Sequence, residues 1–218
     1  DGNRHAVTRY LEVLQGHDVD TTDAHPCLEL TQAERTAAHN FLTKADLKSE
    51  RLLIGIHPGG NWEYKLWDGK NYADVASILA EKRNATILLF AGPNERHLQT
   101  QVAEMMEVPP MLVKTGDLRH LAALISACDV YIGNDTGPMH IAAAVGTPVV
   151  ALFGSTNHMR SGPYGDPHTV LQSGINLGCN PCHPGRHPGG CDVGSCAVIA
   201  GITTEQVLAA VERYISVA

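Results

Sequence analysis

The sequence predicts an α/β fold, a Rossmann-like parallel sheet with helices on both faces. Short apolar segments such as Leu52-Leu53-Ile54-Gly55-Ile56 and Thr86-Ile87-Leu88-Leu89-Phe90 recur along the chain. Segments with helical spacing separate them, and apolar strands alternating with helices belong to a parallel sheet covered on both sides. Four strands also end in glycine-bearing polar turns: His57-Pro58-Gly59-Gly60, Ala91-Gly92-Pro93, Gly133-Asn134-Asp135-Thr136-Gly137 and Gly154-Ser155-Thr156. In a parallel sheet such turns share one edge and converge on one crevice.

Residues 4–15 place Val7, Tyr10, Leu11 and Leu14 at helical spacing. A polar, acidic connection over residues 16–27 follows, with the turn signal His25-Pro26. Thr31-Gln32-Ala33-Glu34 is a capping box opening a helix that runs to about Lys44. Both helices precede the first strand and read as peripheral, a linker and a flanking helix. The regular pattern begins at residue 51. The strand at 52–56 leads to a helix from about Lys70 to Lys82, and the strand at 86–90 to a helix ending near Met106. Met111-Leu112-Val113 is a short strand, after which Asp117 caps a helix ending near Cys128. Val130-Tyr131-Ile132-Gly133 then runs through a polar turn into a small-residue helix that stops at Gly146. Pro138 suits its first position, where no N–H is needed. Residues 148–153 form a strand, another lies near Val170-Leu171, and a cysteine-rich loop over 178–197 precedes a helix from Thr203 to about Ser216.

Composition bounds the function. The 218 residues suffice for one large domain, or one domain with appendages, and 44% are hydrophobic. No apolar run approaches the roughly 18–20 residues of a membrane span. A net charge of −7, with 12 histidines counted neutral, argues against nucleic acid as a partner. Anionic ligands would be held locally, by loops and single cations. The chain starts at Asp1, with no methionine or signal sequence, as a processed or truncated piece of a longer protein would. Neither Gly-x-Gly-x-x-Gly, nor a P-loop, nor a Gly-x-Ser-x-Gly elbow is present. Cys27 and Cys128 read as small buried hydrophobes.

The opening of the small-residue helix is the natural anion site, since backbone N–H groups and the helix dipole point there. Asp135 and Thr136 would either cap that helix or contact sugar hydroxyls and phosphate oxygens. His140, one turn in, would face the same anion or be a packing histidine. Lys65, flanked by Trp62 and Trp67, would neutralise a phosphate or stay solvated. Glu95 would accept hydrogen bonds from a ribose diol or complement a helix dipole. Gly59, Gly60, Gly137, Ser155 and Thr156 stand in turns where backbone approaches a ligand closely.

The run from Asn134 to Ala144, with Gly146-Thr147-Pro148 and Leu152-Phe153-Gly154-Ser155-Thr156, resembles the donor-site signature of the ADP-heptose:lipopolysaccharide heptosyltransferase family, glycosyltransferase family 9. His57-Pro58-Gly59-Gly60, Lys65-Leu66-Trp67 and Gly92-Pro93-Asn94-Glu95 match in order and spacing, and the resemblance covers roughly residues 50–216. It implies one half of a GT-B enzyme, the carboxy-terminal donor-binding domain over 50–218, with residues 1–49 as inter-domain connection and flanking helices. It implies that Lys65 meets the donor diphosphate and Glu95 the ribose, while Asp135, Thr136, Gly137 and His140 line the diphosphate and sugar end. The family's proposed base is an aspartate of the amino-terminal domain, and no position of this chain matches it. The partners implied are ADP-heptose and, through the other domain, a lipopolysaccharide core acceptor. The implied location is cytoplasmic, at the inner face of the inner membrane. Another nucleotide-sugar transferase, an epimerase domain, or a nucleotide-binding module without turnover remain alternatives.

Cys179, Cys182, Cys191 and Cys196 give C-x2-C-x8-C-x4-C spacing. A structural zinc, disulfides and reduced thiols all fit that spacing. No cofactor is required by the chemistry itself.

Overall fold

The computed structural model describes residues 3–44, 51–114, 116–179, 182 and 196–215. Six strands, β1 (Leu53–His57), β2 (Thr86–Ala91), β3 (Met111–Lys114), β4 (Val130–Asn134), β5 (Val149–Leu152) and β6 (His168–Leu171), form one parallel sheet in the order β3-β2-β1-β4-β5-β6. The order reverses between β1 and β4, which pair with His57 opposite Gly133. Open α/β sheets bind ligands beyond the strand ends at this reversal.

Alternate strand residues point to opposite faces, and each face has its own core. Ile54, Ile56, Ile87, Leu89, Val130, Ile132, Val150 and Leu152 pack with α3 (Gly69–Arg83) and α9 (Thr204–Ile215). Leu88, Phe90, Tyr131, Val149 and Ala151 pack with α5 (Leu118–Ile125) and α6 (Gly137–Ala144) on the other face. All five residues of β4 are buried, as a central strand covered twice requires.

The sequence signals for helix ends hold. Asp117 accepts from Arg119 N–H at 2.9 Å as read, and Asp68, which the sequence did not single out, caps α3 through Lys70 N–H at 2.8 Å. The capping box closes both ways: Thr31 N–H donates to Glu34 at 2.7 Å and Glu34 N–H to Thr31 Oγ1 at 3.3 Å. Thus α2 (Gln32–Lys44) forms as read, but it is not peripheral. Ala38 is buried in the second core with Leu30, Phe41 and Leu42 against it, and Glu34 pairs with Arg119 of α5. The first helix, α1 (Ala6–Gln15), buries no residue and is tied down by His5, whose Nε2 lies 3.1 Å from the Gly162 carbonyl.

Cys27 is exposed, contrary to its expected burial, because the connection carrying it runs over the surface; Cys128 is buried as expected. The helix after the Glu95 turn forms as read, α4 (Arg96–Glu104), while three short elements leave no periodic signal, which needs several turns to register: a 3₁₀ turn (Glu63–Lys65), α7 (His158–Ser161) and α8 (Ala197–Ala200). The last explains Gly154. A Cβ there would come within 2.7 Å of Ile199 Cβ, so this glycine admits α8 rather than a ligand.

Candidate functional site

A cleft of about 590 Å³ opens where β1, β2 and β4 end, within the ordinary size of a small-molecule site. The turn after β1 supplies His57, Gly60, Asn61, Trp62 and Lys65, and the turn after β2 supplies Gly92, Pro93, Asn94 and Glu95. Asp135, Thr136, Gly137, Pro138 and His140 form the third wall, at the start of α6. Phe90, Leu118 and Leu121 give one end an apolar lining. Asn134, fully buried, joins two of these walls. Its Oδ1 accepts from Trp67 N–H at 3.1 Å and Tyr72 O–H at 2.9 Å, and its Nδ2 donates to the Pro58 and Gly59 carbonyls.

Lys65 is not a solvated surface lysine. Its side chain is 16% exposed, and Nζ donates to Asp135 Oδ2 at 2.6 Å and lies 4.8 Å from the centre of the Trp62 ring. Thr156 Oγ1 donates to the same Asp135 oxygen at 2.7 Å. Asp135 does not cap α6. The cap position is Thr136, which makes no side-chain capping bond either, so neither side chain closes the helix start at exposed Gly137 on the cleft wall.

Glu95 stands at the cap position of α4, yet its side chain makes no capping bond. Its Oε2 instead accepts from His57 Nε2 at 3.0 Å and Gly92 N–H at 2.8 Å. The bond from His57, more than any other contact, holds the carboxyl below its usual range, so Glu95 is a carboxylate at neutral pH. His140 sits at the rim, where desolvation lowers its imidazole pKa and favours the neutral ring.

The family model for glycosyltransferase family 9 (heptosyltransferase) matches residues 1–188. The chain belongs to this family. It is 31% identical over 159 residues to the lipopolysaccharide heptosyltransferase 3 of Escherichia coli (strain K12), a match covering 71% of this chain and 45% of that protein. The lipooligosaccharide heptosyltransferase 2 of Campylobacter jejuni subsp. jejuni serotype O:2 is 30% identical over 142 residues, covering 62% and 44%. The chain thus spans less than half the length of these relatives. The crystal structure of the glycosyl transferase family 9 protein from Veillonella parvula DSM 2008 superposes with a TM-score of 0.83 at 28% identity, covering 99% of this chain and 61% of that one.

Within this family member, seven of the ten expected donor residues sit on the cleft: Gly60, Lys65, Glu95, Asp135, Thr136, Gly137 and His140. Three do not line it. Gly59 lies under Glu95, whose carboxyl carbon a Cβ at that position would approach to 2.5 Å. Ser155 is buried behind the wall, where its carbonyl accepts Cys182 N–H, and Thr156 reaches the cleft through its bond to Asp135. The fourth glycine turn therefore supports the cleft from behind. Of the zinc candidates, Cys191 lies outside the described residues. Cys179, Cys182 and Cys196 belong to no group of three metal-ligating side chains among the described residues. His57, Asn134 and Trp62 were not singled out from the sequence. All three stand in segments that the sequence singles out, the strand-end turns and the flank of Lys65; the partners of His57 and Asn134 are remote in sequence, whereas Trp62 meets Lys65 three residues on.

Proposed function

We propose that this chain is the donor-binding half of a glycosyltransferase that moves heptose from ADP-heptose onto the lipopolysaccharide inner core, with residues 1–49 leading to an acceptor-binding domain. The observation that carries this is the arrangement of the cleft. A cation, Lys65, and the open N-terminus of α6 stand on one side of the sheet's reversal point. A seated carboxylate, Glu95, stands on the other. That pair suits a diphosphate at one end and a ribose at the other, and the relatives' names supply the sugar and the acceptor.

The geometry supports a chemical role for each part. As the anomeric bond breaks, negative charge gathers on the departing nucleoside diphosphate. Preorganised N–H groups and Lys65 would stabilise that charge without rearranging. Inversion needs a carboxylate to take the proton of the acceptor hydroxyl. Asp135 is held by Lys65 and Thr156, Glu95 by His57 and Gly92, and Asp117, also on the cleft, by the start of α5, so the base is assigned to the acceptor-binding domain. Action at the inner face of the inner membrane follows from the same reading; no helix among the described residues is long and apolar enough to cross a membrane. A structural zinc on the cysteine loop is a separate proposal, and substoichiometric zinc in purified protein would remove it.

Calorimetry with ADP, UDP and GDP tests the reading. ADP is expected to bind best, and Lys65→Ala and Glu95→Ala each to weaken it by about tenfold or more, the worth of a hydrogen bond to a charged group. Preference for UDP or GDP would sink the heptosyl assignment, and unchanged affinity in both variants would refute the site.

A further inference from the structure

The Glu95 carboxylate occupies a seat shared between its own turn and a side chain from the end of β1. A glutamate at a helix cap position is drawn toward the first N–H groups of its own helix, but the Glu95 side chain makes no such bond to α4. It is turned the other way, into a space left by two glycines. A Cβ at Gly59 would lie 2.5 Å from its carboxyl carbon, and one at Gly92 would lie 2.9 Å from Oε2. The side chain that meets it there is His57, which is 3% exposed and whose Nε2 reaches Oε2 at 3.0 Å. His57 Nδ1 is buried with no hydrogen-bond partner among the described residues. A histidine serving only to knit the fold would be expected to satisfy both ring nitrogens. This one spends its single polar contact on Glu95.

We propose that His57 is a positioning residue for nucleotide recognition: by donating from Nε2 to Glu95 Oε2, it holds the carboxylate out of the α4 cap and presents Oε1 to a ribose hydroxyl of the bound nucleotide. This rests on the donor-site reading above. His57 and Gly92 fill the two lone-pair positions of Oε2, and the Gly60 N–H also interacts with the carboxylate, so the ligand is accepted at the lone pair left on Oε1. The proton of that bond sits on His57 Nε2, since a carboxylate oxygen can only accept. The glycines keep the seat open and the histidine keeps it occupied.

The test is discrimination, not affinity alone. Dissociation constants for ADP, 2′-deoxy-ADP and 3′-deoxy-ADP are measured by calorimetry on the 218-residue chain and on His57→Leu, His57→Asn and His57→Gln, with thermal unfolding followed in parallel. The unmodified chain is expected to bind ADP about tenfold more tightly than at least one deoxy analogue. His57→Leu is expected to lose ADP affinity by about that factor while the poorer analogue stays within about twofold, so that the preference collapses. His57→Asn, whose shorter side chain stops short of Glu95, should do the same if the apolar variant fails to fold. His57→Gln, which keeps an N–H donor at similar reach, should restore most of the preference. Equal weakening of all three nucleotides, or a preference intact in His57→Leu and His57→Asn, overturns the positioning role. Failure of the unmodified chain to bind ADP, or to prefer it over either analogue, overturns the donor-site reading with it. Loss of the preference in Glu95→Ala but not in the His57 variants overturns this inference alone.

Discussion

Lys65 and Asp135 meet at 2.6 Å inside the cleft that a diphosphate is proposed to enter. With the Asp135 side chain only 7% exposed, the attraction is little screened by solvent. An incoming phosphate must therefore share Lys65 with a carboxylate that also repels it. Removing that carboxylate while keeping its shape should help a bare nucleotide. Asp135→Asn is expected to bind ADP about three- to tenfold more tightly, a gain of about 1 kcal/mol. The same variant should lose the extra affinity that the sugar of an ADP-sugar contributes, if Asp135 contacts that sugar. Titration of ADP and an ADP-sugar against both proteins checks this, and weaker ADP binding in Asp135→Asn would show that the aspartate serves mainly to hold Lys65 in place.

Among the elements, β4 and its terminal Asn134 connect the site to the sheet. One side chain makes four hydrogen bonds, to the backbone of Trp67, Pro58 and Gly59 and to the Tyr72 hydroxyl. The turn after β1 is thereby fastened to the end of β4. Asn134→Ala leaves those groups buried without partners. Each such loss costs about 1–3 kcal/mol, and because they share one site the total is expected near 3–5 kcal/mol, read from the urea midpoint. A loss below 1 kcal/mol would show that water replaces the amide and that the turn is held elsewhere.

The α2–α5 contact carries a pH signature. The Arg119 guanidinium, first among several hydrogen bonds, pulls the Glu34 carboxyl from 4.5 down to about 2. A carboxyl whose folded pKa lies below its unfolded value stabilises the fold above the unfolded value and loses that contribution as pH falls toward the folded one. Glu34→Gln should therefore lower Tm at pH 7, with the gap to the unmodified chain closing between pH 4.5 and about 2. Added salt should shrink the gap as well, because both side chains are partly exposed. A gap independent of pH would mean that α2 is held by its apolar face alone.

Over the whole molecule, two cores on opposite faces of one sheet hold three strand-end turns rigidly around a single cleft. The proposed division of labour follows from what that cleft lacks: its three carboxylates, Glu95, Asp117 and Asp135, are all committed to neighbours. This chain alone is expected to bind ADP-heptose and to transfer no heptose to an acceptor, whereas a form extended to the full length of its relatives should transfer it. Turnover by the 218-residue chain would place the base within it and overturn that division.

Most strands and long helices could be read directly, because burial on both faces requires continuous apolar strands and helices repeat their apolar faces over several turns. Capping also depends on near neighbours, so Thr31, Glu34 and Asp117 were read correctly at their helix starts. The convergence of the turns followed from parallel connectivity, and with it the placement of Lys65, Glu95 and Asp135 around one opening. Partners remote in sequence were not legible. That α2 joins the core, that Gly154 makes room for Ile199, that Gly59 makes room for Glu95, and that His57 and Asn134 hold the site all depend on contacts between distant segments. Local chemistry determined the sheet and its ligand edge; packing between remote segments decided which polar side chains face the cleft and which hold it in shape.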